Sequence, residues 1–187
     1  EMRAMARTDA RSQSGSATQS LIELKTVEET YPLYGSLETE PALTLAAMLD
    51  QRGGSWGAAV APELITKLGI TIGDRLRIGE TSFDVRAAIL HEPDRVGGSG
   101  LFSLGPRVLI ADAALADTAL VQPGSLIHYN YRVRMPETTT PASFIDTINA
   151  GFPDAGWRIR TFNESSPRLS RLIGRVTLFL SFVGLTA

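Results

Sequence analysis

The sequence predicts an α+β fold, and three observations point there. Apolar residues alternate with period two around Gly79-Glu80, with Leu76 and Ile78 before the turn and Phe83 and Val85 after it, which is a hairpin pattern. Short helical stretches carry their own start and stop residues, as in Pro62-Glu-Leu-Ile-Thr-Lys-Leu68 followed by Gly69. The third observation is the end of the chain, where Val176–Ala187 holds no charge for twelve residues. A spanning helix needs about 20 such residues. The expectation is therefore a C-terminal helix entering a truncated transmembrane segment.

Taken in order, Met2–Ala6 and Ser20–Val27 are two strands, anchored by Leu21, Leu24 and Val27, with the Ser/Gln/Arg-rich loop around Asp9–Ser16 between them. Tyr31-Pro-Leu-Tyr-Gly35 is aromatic and turn-forming, because proline fixes φ and glycine permits φ > 0. Pro41–Asp50 reads as a short helix carrying Leu43, Leu45, Met48 and Leu49, and it ends before Gly53-Gly54. Ala58–Val60 is a short buried strand, Pro62–Leu68 a helix, and Leu76–Ile78 with Thr81–Leu90 the hairpin. Gly97–Gly100 is a loop, Arg107–Ile110 a strand and Asp112–Leu120 an Ala-rich helix. Alternation through Ile127, Tyr129, Tyr131 and Val133 makes Ser125–Met135 a strand. Pro141–Gly151 is an amphipathic helix through Phe144, Ile145 and Ile148, and Trp157–Phe162 is a last strand. Ser165 or Ser166 caps a helix with Pro167 in its first turn, which runs on into the apolar tail.

Composition narrows the function. The 187 residues are 43% hydrophobic, enough to bury a core. Eighteen basic against 20 acidic residues give a net charge of −2, so the electrostatic footprint of a nucleic-acid binder is missing. With no cysteine, disulfide scaffolds, cysteine zinc sites, iron–sulfur clusters and thiol nucleophiles are excluded. The first residues show no basic stretch leading into an apolar core, so no signal peptide is expected there.

Three constellations deserve weighing for chemistry. Gly53-Gly-Ser55-Trp-Gly57 has the G-x-S-x-G spacing of a hydrolase nucleophile elbow, but that device needs a strand before the serine and a helix after it. The expected order here is the reverse, so a glycine-rich linker is the better reading. Gly97-Gly-Ser-Gly100 lacks the Lys-Ser/Thr of a phosphate-binding loop. His91-Glu-Pro-Asp-Arg95 sets a histidine near two carboxylates, yet no second strong metal ligand is spaced to join it, and a turn with an Asp–Arg pair is expected. Glu28-Glu29 and Glu38/Glu40 read as solvated faces. No catalytic, cofactor-binding or metal residue emerges.

The order of segments carries more. Thr30-Tyr-Pro-Leu-Tyr-Gly35 is followed by the long stretch Trp56–Arg86, then Glu92-Pro-Asp-Arg95, Gly105-Pro-Arg-Val-Leu-Ile110, Gln122-Pro-Gly-Ser125 and Phe152-Pro-Asp-Ala-Gly-Trp157. Its most specific part is L-G-x-x-x-G-D-x-[LV]-x-[IL]-G-x-x-x-F-x-[VI], from Leu68 to Val85. From about Leu21 to Ala187 the chain resembles the large extracytoplasmic domain of FtsX/MacB-like ABC transporter permeases, of the YbbP type. The residues of the Leu68–Val85 segment are folding residues, so the resemblance speaks to architecture before activity.

That resemblance implies a mixed α/β porter-like subdomain from residues 1–50 and 125–170, an inserted β-rich subdomain over 56–120, and the start of a transmembrane helix over 171–187. It implies a non-enzymatic chain with no cofactor of its own, ATP being bound by a partner ABC ATPase subunit. The domain would face the periplasm from the cell inner membrane, held there by flanking transmembrane helices. It would couple ATP hydrolysis to movement of a lipid or other hydrophobic cargo. Leu169, Leu172, Ile173 and Val176 would lie on the helix that transmits displacement, and Leu101 and Phe102 would touch cargo or a periplasmic protein. The alternative is a protein-binding module of an FtsX-like regulator that controls a partner enzyme.

Overall fold

The computed structural model describes residues 1–8, 19–94 and 105–161. It divides into two compact units, Glu1–Arg132 and Val133–Ala187.

Among the described residues the first unit has seven strands: β1 (Met2–Thr8), β2 (Gln19–Val27), β3 (Glu38–Glu40), β4 (Trp56–Val60), β5 (Arg75–Ile78), β6 (Thr81–His91) and β7 (Arg107–Ala111). Their order is β3-β6-β4-β7-β2-β1-β5, and β5 also pairs with β6. That extra pairing closes a ring. β6 is long enough to hold β5 through Thr81–Asp84 and β3 through Ala88–His91 while β4 pairs with it over Phe83–Ala88. Six strands thus form a barrel, with β3 added outside it. The parallel pairs are β2 with β7 and β4 with β6, and the other pairs are antiparallel.

Alternation sends Ala4, Ala6, Ile22, Leu24, Leu76, Ile78, Phe83 and Val85 into the barrel with Ala58, Val60, Val108 and Ile110. Leu64 and Leu68 of α2 (Pro62–Leu68) pack against the same core. A second apolar cluster of Met48, Leu49, Ala59, Ala87, Ile89, Leu109 and Val27 joins α1 (Leu45–Leu49) to β2, β4, β6 and β7. Strands β4 and β7 are therefore buried on both faces, which is why Ala58-Ala-Val60 and Val108-Leu-Ile110 read as unbroken apolar runs.

Several elements fall where their local chemistry puts them. Pro62 opens α2, and Gly69 closes it at φ 61° with its N–H bonded back to Ile65 and Thr66 carbonyls. Gly79 turns the β5–β6 hairpin at φ 59° against the Thr118 carbonyl, which accepts from the Glu80 N–H at 2.9 Å.

Other expectations need correction. The helix read over Pro41–Asp50 begins only at Leu45, because the Thr44 hydroxyl accepts from the Ala47 N–H and caps it there. In place of a helix over Asp112–Leu120 stand two short 3-10 turns, Asp112–Ala114 and Ala116–Thr118, ended by Ala119 at φ 54°. β1 and β2 belong to the same barrel as β4–β7, since the ring cannot close without β2 on β7 and β1 on β5. Among the described residues neither Ser125–Met135 nor Trp157–Thr161 is a strand, although His128 and Glu1 exchange backbone hydrogen bonds of 2.7 and 2.8 Å.

In the second unit α3 (Pro141–Gly151) is capped by Thr140 and buries no residue fully, although Phe144, Ile145 and Ile148 are half-buried on one face. Phe152 and Trp157 lie with ring centroids 5.2 Å apart. The C-terminal helix and its apolar tail lie outside the described residues. Among those described, no helix is long and apolar enough to cross a membrane.

Candidate functional site

Charged side chains meet at one place on the barrel. Lys25 sits on β2 with only 9% of its side chain exposed, and its ammonium reaches Glu92 Oε1 at 2.5 Å and both Asp94 oxygens at 2.8 Å. It also donates to the Tyr31 hydroxyl at 3.2 Å and lies 4.4 Å from the centre of that ring. Tyr31 in turn donates to Asp94 Oδ1 at 2.8 Å. On the other side of Glu92, Arg107 Nε donates to Oε2 at 3.1 Å, and Arg107 pairs further with Glu1 and Glu23. Arg132 completes the group through Asp94 Oδ2 at 3.1 Å.

The elements explain the meeting. Glu23 and Arg107 are register partners on the parallel β2–β7 pair, and Lys25 stands opposite Leu109 two residues on. Glu92 and Asp94 follow directly on β6, and Tyr31 follows β2 by four residues. Gly35 at φ 78° presses on Pro93, where an added Cβ would come within 2.6 Å of Pro93 Cβ. The segments Thr30–Gly35, Glu92–Asp94 and Gly105–Ile110 are separate in sequence, and they converge here.

The chemistry is that of a clasp. An ammonium has three N–H donors, and Glu92, Asp94 and Tyr31 offer acceptors for all of them. Burial by itself would push the Asp94 carboxyl up, but hydrogen bonds from Lys25 and Tyr31, with the charges of Lys25 and Arg132, hold it below its ordinary value. Burial first, then the hydrogen bond to Asp94 and the nearby Glu92 and Asp94 charges, push the Tyr31 hydroxyl well above its ordinary value. Near neutral pH Asp94 is thus an anion that cannot act as an acid, and Tyr31 keeps its proton.

A pH dependence follows. Because Asp94 titrates lower in the folded chain than in the unfolded one, its stabilising contribution is full above the unfolded carboxylate value of about 4. The contribution is lost as pH falls through the lower folded value. Urea unfolding of Asp94→Asn is expected to show lower stability than the parent at neutral pH and a shallower loss on acidification. Parallel curves for the two proteins would contradict the assignment.

The other candidates take bland places. Ser55 closes a tight turn: Arg52 and Ser55 exchange backbone hydrogen bonds of 2.8 and 3.0 Å around Gly53 and Gly54, both at positive φ. α1 precedes this serine and β4 follows it, the reverse of a nucleophile elbow. Within His91–Arg95, Asp94 joins Lys25 and Arg132; Arg95, and with it the Asp–Arg pair expected there, lies outside the described residues. Among the described residues no group of three His, Asp or Glu is placed to hold a metal ion. Leu101, Phe102, Leu169, Leu172, Ile173 and Val176 all fall outside the described residues. Lys25, Tyr31, Arg107 and Arg132 were not singled out from sequence. The available signal was a lysine inside the apolar alternation of β2 and an arginine heading the apolar run of β7.

Comparison with known proteins adds a class and then a particular relative. Part of the chain is similar to a curated ABC transporter permease, with 31% identity over 115 residues. That relative is the "Uncharacterized ABC transporter permease YbbP" of Escherichia coli (strain K12). The similarity takes in 62% of this chain, and the chain spans 13% of the relative's length. No protein-family profile matches the chain, and no solved structure matches it.

Proposed function

We propose that the chain is the periplasmic domain of an ABC transporter permease of the FtsX/MacB-like kind, held at the inner membrane. In this reading it relays the ATP-hydrolysis cycle of a separate ABC ATPase subunit to a substrate on the periplasmic side. The observation that carries the proposal is the 31% identity over 115 residues to an ABC transporter permease. The fold suits such a role: a closed barrel with a saturated ionic clasp is a stiff body, able to move as a unit. A lipid or other hydrophobic compound is the cargo class proposed, by analogy of family alone. Leu101 and Phe102 are proposed to touch cargo or a periplasmic partner, and Leu169, Leu172, Ile173 and Val176 to lie on the transmitting helix.

The mechanical part is tested by Leu172→Pro, since proline removes a helix hydrogen bond and clashes with the preceding turn at a cost of about 3 kcal/mol. In membrane vesicles holding permease and ATPase, the variant is expected to keep the complex together. Its ATP hydrolysis should fall to that of the ATPase alone. Undiminished, permease-dependent hydrolysis in an intact complex would overturn the relay.

A further inference from the structure

One member of the ionic group is held differently from the rest. Arg132 reaches Asp94 Oδ2 at 3.1 Å with more than half of its side chain exposed, whereas the Lys25 side chain is only 9% exposed. Asp94 is already matched without it. Lys25 donates to both carboxylate oxygens at 2.8 Å, and the Tyr31 hydroxyl donates to Oδ1 at 2.8 Å. Withdrawing Arg132 therefore strands no buried charge, and its guanidinium, on an exposed side chain, passes into water. Four residues upstream the His128 N–H donates to the Glu1 carbonyl at 2.8 Å, so residues 129–131 run between two holds on the first unit. They form neither helix nor strand, and Tyr129 and Tyr131 are 67% and 81% exposed, so the run rests lightly on the barrel. The second unit begins at the next residue after Arg132, Val133.

We propose that the Arg132–Asp94 ion pair is a releasable latch. Closed, it ties residues 129–132 to the barrel beside the clasp. Open, it frees them while Lys25, Tyr31, Glu92 and Asp94 stay joined. The two carboxylates divide the work. Glu92, 2% exposed and shared by Lys25 and Arg107, is the one the barrel cannot give up, and Asp94, at 14%, has a cation to spare. An ion pair as exposed as that of Arg132 is weak and screened by salt, which suits a contact that opens and closes while the fold stays intact. An anionic group that reaches the guanidinium competes with Asp94 for it and so draws the latch open. Opening lengthens the run of chain between the last hold on the barrel and Val133, where the second unit begins.

Chymotrypsin, which cuts after accessible tyrosines, reads the latch at Tyr129 and Tyr131, each rate being divided by that of an unstructured peptide of matching sequence. When reclosing outpaces cleavage, the rate follows the open population. Arg132→Gln is expected to raise both normalised rates roughly two- to fivefold, the range that corresponds to an exposed ion pair, while its urea midpoint stays at that of the parent. Arg132→Lys, which keeps the charge, should fall between the two. About 1 M sodium chloride, which shortens the Debye length to about 3 Å, should raise the parent's rates and leave those of Arg132→Gln unchanged. Equal normalised rates in the parent and Arg132→Gln would overturn the proposal, because something other than the ion pair would then hold the run. A urea midpoint lowered as far as in Lys25→Ala would overturn it too, since Arg132 would then be part of the clasp and not a latch upon it.

Discussion

Lys25→Ala is expected to destabilise the first unit by about 3–5 kcal/mol, the cost of leaving buried carboxylates without their cation. Glu92 exposes 2% of its side chain and Asp94 14%, and the ammonium's contacts of 2.5 and 2.8 Å are lost to them when it goes. Arg107 still faces Glu92 Oε2, while Asp94 keeps the Tyr31 hydroxyl at 2.8 Å and, as its cation among the described residues, only Arg132, on a side chain more than half exposed. Against a domain stability of about 5–15 kcal/mol, such a loss leaves a visibly unfolded fraction. The loss should be recoverable. Combining Lys25→Met with Glu92→Gln and Asp94→Asn removes the stranded carboxylate charges with the cation, while Arg107 keeps Glu1 and Glu23, and replacing buried ion partners together is often close to neutral. Urea midpoints should therefore place the triple variant above Lys25→Ala. A single variant no less stable than its parent would show that the clasp does not hold the strands.

Gly57→Val is expected to exceed the roughly 1–3 kcal/mol of ordinary overpacking and to abolish cooperative unfolding. A Cβ on Gly57 would stand 2.0 Å from the Met48 carbonyl oxygen and 2.7 Å from Arg86 Nη1. The carbonyl belongs to α1, which covers the outer face of β4, so it cannot swing aside as a side chain would. The guanidinium is occupied as well, donating to the Asp50 and Ser55 carbonyls at 2.7 and 3.2 Å. Gly53→Ala is the contrasting case, with nothing within 4 Å of the new methyl. Its φ of 58° leaves only backbone strain, about 1–2 kcal/mol. Thermal melts of the two variants should separate widely, and equal losses would mean that α1 does not pack on β4 as described.

These two sites mark where the sequence was legible. Everything set by neighbours along the chain could be read: Pro62 and Gly69 bound α2, and Gly79 turns a hairpin whose alternation names Leu76, Ile78, Phe83 and Val85 as core. Barrel closure could not be read in this way. It depends on β2 lying parallel to β7 and on β1 meeting β5, pairings between distant segments that leave no local period. The clasp was hidden for the same reason, since Lys25 and Glu92 are 67 residues apart and each looks like an ordinary surface charge. Gly57 looked like a linker glycine beside Gly53 and Gly54, and only the packing of α1 distinguishes it. Ser125–Met135 erred the other way: its alternation is real, but alternation supplies a face and not a partner.

The most direct test of the transport reading is to affinity-purify the protein that carries this chain from gently solubilised membranes. What co-elutes then decides the reading. An ATP-binding subunit is expected in stoichiometric amount, its ATP hydrolysis changing when the protein that carries this chain is removed. Recovery of the protein without any ATPase, under conditions that keep known membrane complexes intact, would contradict it.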